Sequence, residues 1–280
     1  MKSLKTPLRY PGGKSRVAKM LVDQMPDSFT EYREPFLGGG SVAIEFTKRF
    51  PDTPVWVNDK YVHLYNFWCQ LQERGDELSD LLCHFKNEYD TPDKARELFL
   101  TAKSEIDDAN ELMSAVYFWI MNKCSYSGLT ENSSFSPQAS NQNFTLRGAR
   151  RLPEYSELIQ NWKITNHNYT YVMELEDSDD PFLFLDPPYD IKDFLYGGMG
   201  GTMHKGFDHR DFAFYCNKSK FWWMCTYNIN ENIERLFSDW HIEKFSITYG
   251  MQHRADNKSK QEYLITNYKK ETVIEQLLND

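Results

Sequence analysis

Short apolar runs recur toward both ends of the chain, and between them apolar positions fall three and four residues apart. The runs at 32–36, 55–58, 162–165, 182–185, 221–227, 242–247 and 262–267 read as strands. The stretches 14–25, 41–50, 210–217 and 230–237 carry the helical period. Strands alternating with helices predict an α/β fold built on a doubly wound, mostly parallel sheet of seven strands. The link between the last two runs shows no helical pattern. That pair is expected to close the sheet as an antiparallel hairpin.

The middle of the chain follows another rule. Residues 61–120 read as several helices, with Thr91-Pro92-Asp93 as a helix start. From 122 to 151 the sequence turns polar and irregular, which predicts a long surface loop. No internal repeat is present. The pattern divides the chain into a two-part α/β domain, 1–60 with 161–280, and a mostly helical insert, 61–160.

Asp186-Pro187-Pro188-Tyr189 follows the apolar run 182–185, and the two prolines stop that strand. Ligands of open α/β sheets bind beyond the carboxyl ends of strands. An acid, a carbonyl held still by Pro-Pro and an aromatic ring at such a place suit an exocyclic amine that attacks a methyl donor. A plain strand end with Tyr189 as loop packing is the alternative. Glu34-Pro35-Phe36-Leu37-Gly38-Gly39-Gly40-Ser41 ends a strand before a helix, where glycines let backbone approach a ligand or simply make a tight turn. Val55-Trp56-Val57-Asn58-Asp59 puts an acid about 20 residues after that turn, the spacing of a ribose-binding carboxylate. The same pair could cap the next helix. Arg9-Tyr10-Pro11-Gly12-Gly13-Lys14 is a turn whose lysine opens the next helix against its dipole. Reaching an anion such as a carboxylate would explain Lys14; a solvated lysine is the other reading.

Composition narrows the class. The chain has 280 residues, 40% hydrophobic and 15% aromatic, which is globular and not disordered. No apolar stretch approaches a membrane span, and none follows residues 1–5, so neither a signal peptide nor a membrane partner is expected. Five cysteines without a Cys-x-x-Cys pair favour reduced thiols, a cytoplasmic setting and no metal. The net charge of −9 counts against a protein that coats nucleic acid electrostatically. Local clusters persist nonetheless: Arg147, Arg150 and Arg151, and His253, Arg254, Lys258 and Lys260. Solvated surface is the plain alternative for each. His204 and His209 have no metal-ligand company and read as surface residues.

The ordered set of Tyr-Pro-Gly-Gly-Lys, Glu-Pro-Phe-x-Gly-Gly-Gly, strand-Asn-Asp, helical insert and Asp-Pro-Pro-Tyr resembles the DNA adenine methylases of the D12 class. The resemblance spans nearly the whole chain, including Asn122-Lys123-Cys124-Ser125-Tyr126-Ser127-Gly128-Leu129 and the closing strand 262–268. It implies site-specific methyl transfer from S-adenosylmethionine to adenine N6 in double-stranded DNA with base flipping, in a monomer and often in a restriction-modification setting. Tyr10, Lys14, Glu34, Gly38, Gly40, Asp59 and Asp186 would border the cofactor, Lys14 near its methionine part and Asp59 at its ribose. Asp186 and the Pro187 carbonyl would accept from the target amine, and Tyr189 would stack on the base. In the insert, Tyr126 would wedge into the base stack, while Lys123, Arg147, Arg150 and Arg151 would touch phosphates or base edges. Tyr126 could equally be helix-end packing.

Two departures are visible. Thr130-Glu131 stands where such methylases usually carry a basic residue, and 197–201 is glycine-rich, a lid or a plain loop. Three other readings compete: a methyltransferase acting on RNA or on a protein amide, a non-catalytic DNA-binding protein of this fold, and a nicotinamide oxidoreductase. The second would not need Lys14, Asp59, Asp186 and Tyr189 together, and the third leaves Asp-Pro-Pro-Tyr unexplained.

Overall fold

The computed structural model describes residues 4–128, 130, 133–190, 206–247 and 260–270. Seven strands, β1 (Glu31–Glu34), β2 (Val55–Asn58), β3 (Trp162–Thr165), β4 (Pro181–Leu185), β5 (Trp222–Asn228), β6 (His241–Ile247) and β7 (Lys260–Thr266), form one sheet in the order β3-β2-β1-β4-β5-β7-β6. The first five run parallel, while β7 lies antiparallel between β5 and β6. The expected doubly wound sheet and its closing hairpin are therefore both present. β1 stops at Glu34, two residues before the expected end, because Pro35 has no N–H to give the ladder.

Alternation along the strands divides the core between two faces. Phe182, Phe184, Met224 and Leu264 join helices α1 (Ala18–Asp23), α2 (Ser41–Arg49) and α3 (Val62–Glu88) in one apolar cluster. That cluster continues without a break into the helices between β2 and β3, where the Trp68 and Trp162 rings meet at 5.7 Å. Leu183, Leu185, Trp223, Cys225 and Ile265 point the other way, onto the helices that follow β3, β4 and β5. Helix α1 is shorter than the expected 14–25: it starts at Ala18, and Lys14 lies in the turn before it.

In the insert, α4 (Pro92–Glu105) begins where Thr91 accepts a hydrogen bond from the Lys94 N–H, as the Thr-Pro-Asp signal predicts. Helix α5 (Glu111–Cys124) is capped by Asn110 in the same way and carries Asn122 and Lys123 into the interior. The expected loop at 122–151 is corrected: it contains α6 (Pro137–Asn143) and α7 (Leu146–Ala149), and α8 (Leu152–Leu158) follows. Ser136 and Thr145 cap α6 and α7, and Ala139, Phe144 and Ala149 anchor them. Each helix is too short for its few apolar residues to show a period. Three more helices, α9 (Tyr169–Glu174), α10 (His209–Lys218) and α11 (Glu231–Leu236), cover the second sheet face. Among the described residues no helix is long and apolar enough to cross a membrane.

Candidate functional site

The strand order reverses at β1 and β4, and a cavity of about 1010 Å³ opens beyond their carboxyl ends. That is the switch point where doubly wound sheets bind ligands, and the volume is at the upper end for small-molecule sites. Tyr10, Lys14, Glu34, Gly38, Gly40, Asp59, Asp186, Pro187 and Tyr189 all line it. The sequence motifs therefore converge on one place.

The glycine turn borders the cavity and also makes room for protein side chains. A Cβ on Gly38 would lie 2.8 Å from the Tyr10 ring, and one on Gly40 would lie 2.7 Å from Trp68. The space is filled by protein. Both residues also take left-handed φ values of 49° and 65°, which glycine tolerates without a Cβ clash. Tyr10 is thereby seated on the turn, and Gly40 starts α2.

Asp59 braces the same turn. Its Oδ2 accepts from the Gly38 N–H at 2.8 Å and its Oδ1 from the Tyr61 N–H at 2.9 Å. Burial pushes its carboxyl up to about 6, against the pull of those two bonds. Asn58 binds three strand ends together: its amide donates to the Pro35 and His167 carbonyls and accepts from the His167 N–H. Glu34 lies deep, accepting from the Tyr32 hydroxyl at 2.6 Å. Burial holds its carboxyl well above the ordinary range, against the pull of the Tyr32 hydroxyl.

On the first sheet face the apolar residues Phe184, Met224 and Leu264 give way, one step further along each strand, to polar groups. Asp186, Thr226 and Glu262 stand there. Lys14 is only 2% exposed, and its ammonium donates to Asp186 Oδ1 at 2.8 Å, Asp186 Oδ2 at 2.9 Å and the Gly12 carbonyl at 2.8 Å. It stands 3.8 Å from Glu262. The anion that Lys14 reaches in this structure is thus the Asp186 carboxylate, not a group left to a cofactor. Burial works against the ammonium, but the two facing carboxylates outweigh it and raise its pKa. Glu262 has the weaker share of that single charge, and burial keeps its carboxyl above the ordinary range. Tyr189 donates its hydroxyl to Glu262 at 2.7 Å, and its ring stacks on Tyr227 at 5.8 Å. Beyond it, Asn228 and Asn230 hold the Asp190 carbonyl, fixing the exit of the Asp-Pro-Pro-Tyr turn.

The insert touches this site through its N-terminal neighbour. Asn122 exchanges two hydrogen bonds with the Arg9 backbone, accepting at 2.9 Å and donating at 2.7 Å. The Arg9 guanidinium donates to the Ser125 carbonyl at 2.8 Å. Gly128, with φ 73°, lies so close that a Cβ would stand 2.5 Å from the Arg9 carbonyl. Tyr126, between these contacts, is 57% exposed.

Lys123 departs from the expected phosphate contact. It is buried, donates to the Pro7 carbonyl at 2.5 Å, and is pulled down to about 7 by burial and by Arg9. Its position among Trp119 and the 7–9 segment gives a duplex no access to it. Arg147 and Arg150 are exposed and Arg151 is partly covered, pairing with Glu154 at 3.5 Å. Arg147 lies within α7 and Arg150 and Arg151 follow it, and none of the three lines the cavity.

Sequence reading missed Thr226, whose hydroxyl meets Asp186 at 2.7 Å, and the roles of Glu262 and Arg9. The usable signal was a polar residue breaking an apolar alternation: Thr226 after Met224, and Glu262 before Leu264. The glycines at 197–201, His204, His253, Arg254, Lys258 and Glu131 lie outside the described residues. Among the described residues no group of three or more His, Cys, Asp or Glu side chains could hold a metal ion.

Comparison with known proteins agrees with this geometry. The family model of D12 class N6 adenine-specific DNA methyltransferases matches residues 10–272. The Type II methyltransferase M1.LlaDCHI of Lactococcus lactis subsp. cremoris is 25% identical over 280 aligned residues, covering 93% of this chain and 94% of that protein. The Type II methyltransferase M.MjaIII of Methanocaldococcus jannaschii is 25% identical over 197 residues, covering 65% and 68%. The Type II methyltransferase M.CviBI of Paramecium bursaria Chlorella virus NC1A is 22% identical over 208 residues, covering 72% and 76%.

Proposed function

The chain belongs to the D12 class N6 adenine-specific DNA methyltransferase family, and from that premise we propose that it methylates adenine N6 at specific sites in duplex DNA, drawing the methyl from S-adenosylmethionine. The observation that carries the reading is the cluster of Asp186, Lys14 and Tyr189 beside a braced glycine turn at the switch point.

The cavity's own residues fit that cofactor. S-adenosylmethionine carries one net positive charge; Lys14 faces both Asp186 and Glu262, and the rest of the cavity is lined by Glu34, Asp59, Asp208 and Asp211 against Arg9, Lys60 and Lys260. A surplus of carboxylate favours a cation. Asp59 is the acceptor for the ribose hydroxyls, while Tyr10, Lys14, Glu34, Gly38 and Gly40 border the methionine end. When bound, S-adenosylmethionine supplies an electrophilic methyl whose sulfur keeps the bonding electron pair.

The chain supplies orientation. The adenine amine is a poor nucleophile because its lone pair is delocalised into the ring. Asp186 and the Pro187 carbonyl, each accepting one N–H, draw the nitrogen toward tetrahedral geometry and stabilise the charge that forms on it. Asp186 is the first acceptor for the proton that the amine loses. Tyr189, its hydroxyl tied to Glu262, offers a fixed face for the flipped base. Residues 1–60 and 161–280 form the catalytic part and 61–160 the reader of sequence, with exposed Tyr126 as the wedge and Arg147, Arg150 and Arg151 as contacts to phosphates or base edges.

The test is methyl transfer itself. Duplex DNA incubated with the protein and labelled S-adenosylmethionine should yield N6-methyladenine on nucleoside digestion. Asp186→Ala should lower the rate by roughly 100- to 1000-fold, the usual loss for one strong acceptor at such a site. Label in another base, or in protein, would refute the assignment.

A further inference from the structure

We propose that Thr226 is a positioning residue for this reaction: its hydroxyl fixes the Asp186 carboxylate so that a single oxygen, Oδ2, keeps an open lone pair for the target amine. The inference rests on the reading above and names a residue through which Asp186 is aimed.

Thr226 lies on β5 with no exposed surface, between Met224 and Asn228 on the same face as Asp186. Packing alone would be served as well by valine, which has the same shape and an equal preference for strands. The hydroxyl is therefore the informative part. An ionised carboxylate only accepts, so Thr226 donates to Asp186 Oδ1, at 2.7 Å. Lys14 donates to Oδ1 at 2.8 Å and to Oδ2 at 2.9 Å. A carboxylate offers about four lone pairs. Among the described residues these contacts fill both on Oδ1 and one on Oδ2. Asp186 lines the cavity and is 22% exposed, while Lys14 and Glu262 are 2% and 3% exposed.

Lys14 by itself does not make this choice. It bridges both oxygens nearly evenly and would tolerate rotation of the carboxylate about its Cβ–Cγ bond. Thr226, on a rigid strand paired on both sides, removes that freedom.

Thr226→Val, Thr226→Ala and Thr226→Ser separate orientation from packing. Single-turnover methylation of duplex DNA should fall about 10- to 100-fold in the valine and alanine variants, as expected for a misaimed acceptor. The serine variant should recover most of the rate. Affinity for S-adenosylmethionine by calorimetry, for DNA by anisotropy, and base extrusion reported by 2-aminopurine at the target position should stay within about twofold in all three. The alanine variant cannot overpack the site, so it carries the test if valine does not fold. Wild-type rates in the valine or alanine variant would overturn the inference. Equal losses in serine and valine, or a loss confined to either affinity, would do the same. No adenine methylation by the unaltered protein would overturn the functional reading beneath it, an outcome seen before any variant is made.

Discussion

Asp59 offers a quantitative test of how the cavity holds its cofactor. Its carboxyl is pushed from an ordinary 3.8 to about 6 by burial, although the Gly38 and Tyr61 N–H groups pull the other way. The folded chain thus holds the Asp59 proton more tightly than the unfolded chain does. Acidification from pH 6 toward 4 should favour the native state through this group. A shift of roughly two units at 1.4 kcal/mol each sets an upper limit of about 3 kcal/mol, reduced where cavity water screens the charge. Cofactor binding should respond with the opposite sign. In the proposed assignment, ribose hydroxyls would donate to the ionised carboxylate, so protonation would compete with them. S-adenosylmethionine affinity should be flat above about pH 7 and fall by up to tenfold per unit below pH 6. Asp59→Asn keeps the size but can accept through one oxygen only, so one of the two backbone donors loses its partner. Its affinity should be lower at pH 7 and lack the acid limb. Calorimetric titration of both proteins across pH 5 to 8 reads this directly. A wild-type profile without an acid limb, or an asparagine variant that keeps one, would refute the ribose assignment.

Other perturbations separate structure from recognition. Lys123→Met should leave the salt dependence of DNA binding unchanged, whereas alanine at Arg147, Arg150 or Arg151 should reduce the slope by about 0.9 for each phosphate no longer neutralised. Because Lys123 is held near 7, native stability should rise with pH between about 7 and 10.5 on its account, and the methionine variant should lose that rise in denaturant titrations. Gly128→Ala should destabilise by at least about 1–2 kcal/mol from the left-handed backbone, and by more from the approach to the Arg9 carbonyl, measured as a lowered unfolding midpoint.

The central strands β2, β4 and β5 were legible because they are buried on both faces and read as apolar runs. Phe182 to Leu185 could hardly be anything else. Ends were harder: Pro35 cut β1 short, and Lys14 left the helical pattern for Asp186, a partner 172 positions away. The helices at 137–149 were hidden by polar composition, since Ser136 and Thr145 serve as caps there and not as loop residues. Within the site, motif order brought Tyr10, Lys14, Asp59 and Asp186 together. It could not show that the glycines hold Tyr10 and Trp68, nor that Lys123 turns inward. Such facts depend on contacts between segments that no local pattern records.

The surplus of carboxylate around Lys14 bears on turnover as well as on binding. In the proposed reaction, loss of the methyl would convert a sulfonium to a neutral thioether, and once the proton taken up by Asp186 has passed to solvent the cavity would again carry its own charges. The attraction that would draw the reactant in would therefore be weaker for the spent cofactor. The cavity would then discriminate between them by charge. On that reading, release of the spent cofactor would be favoured by the reaction itself.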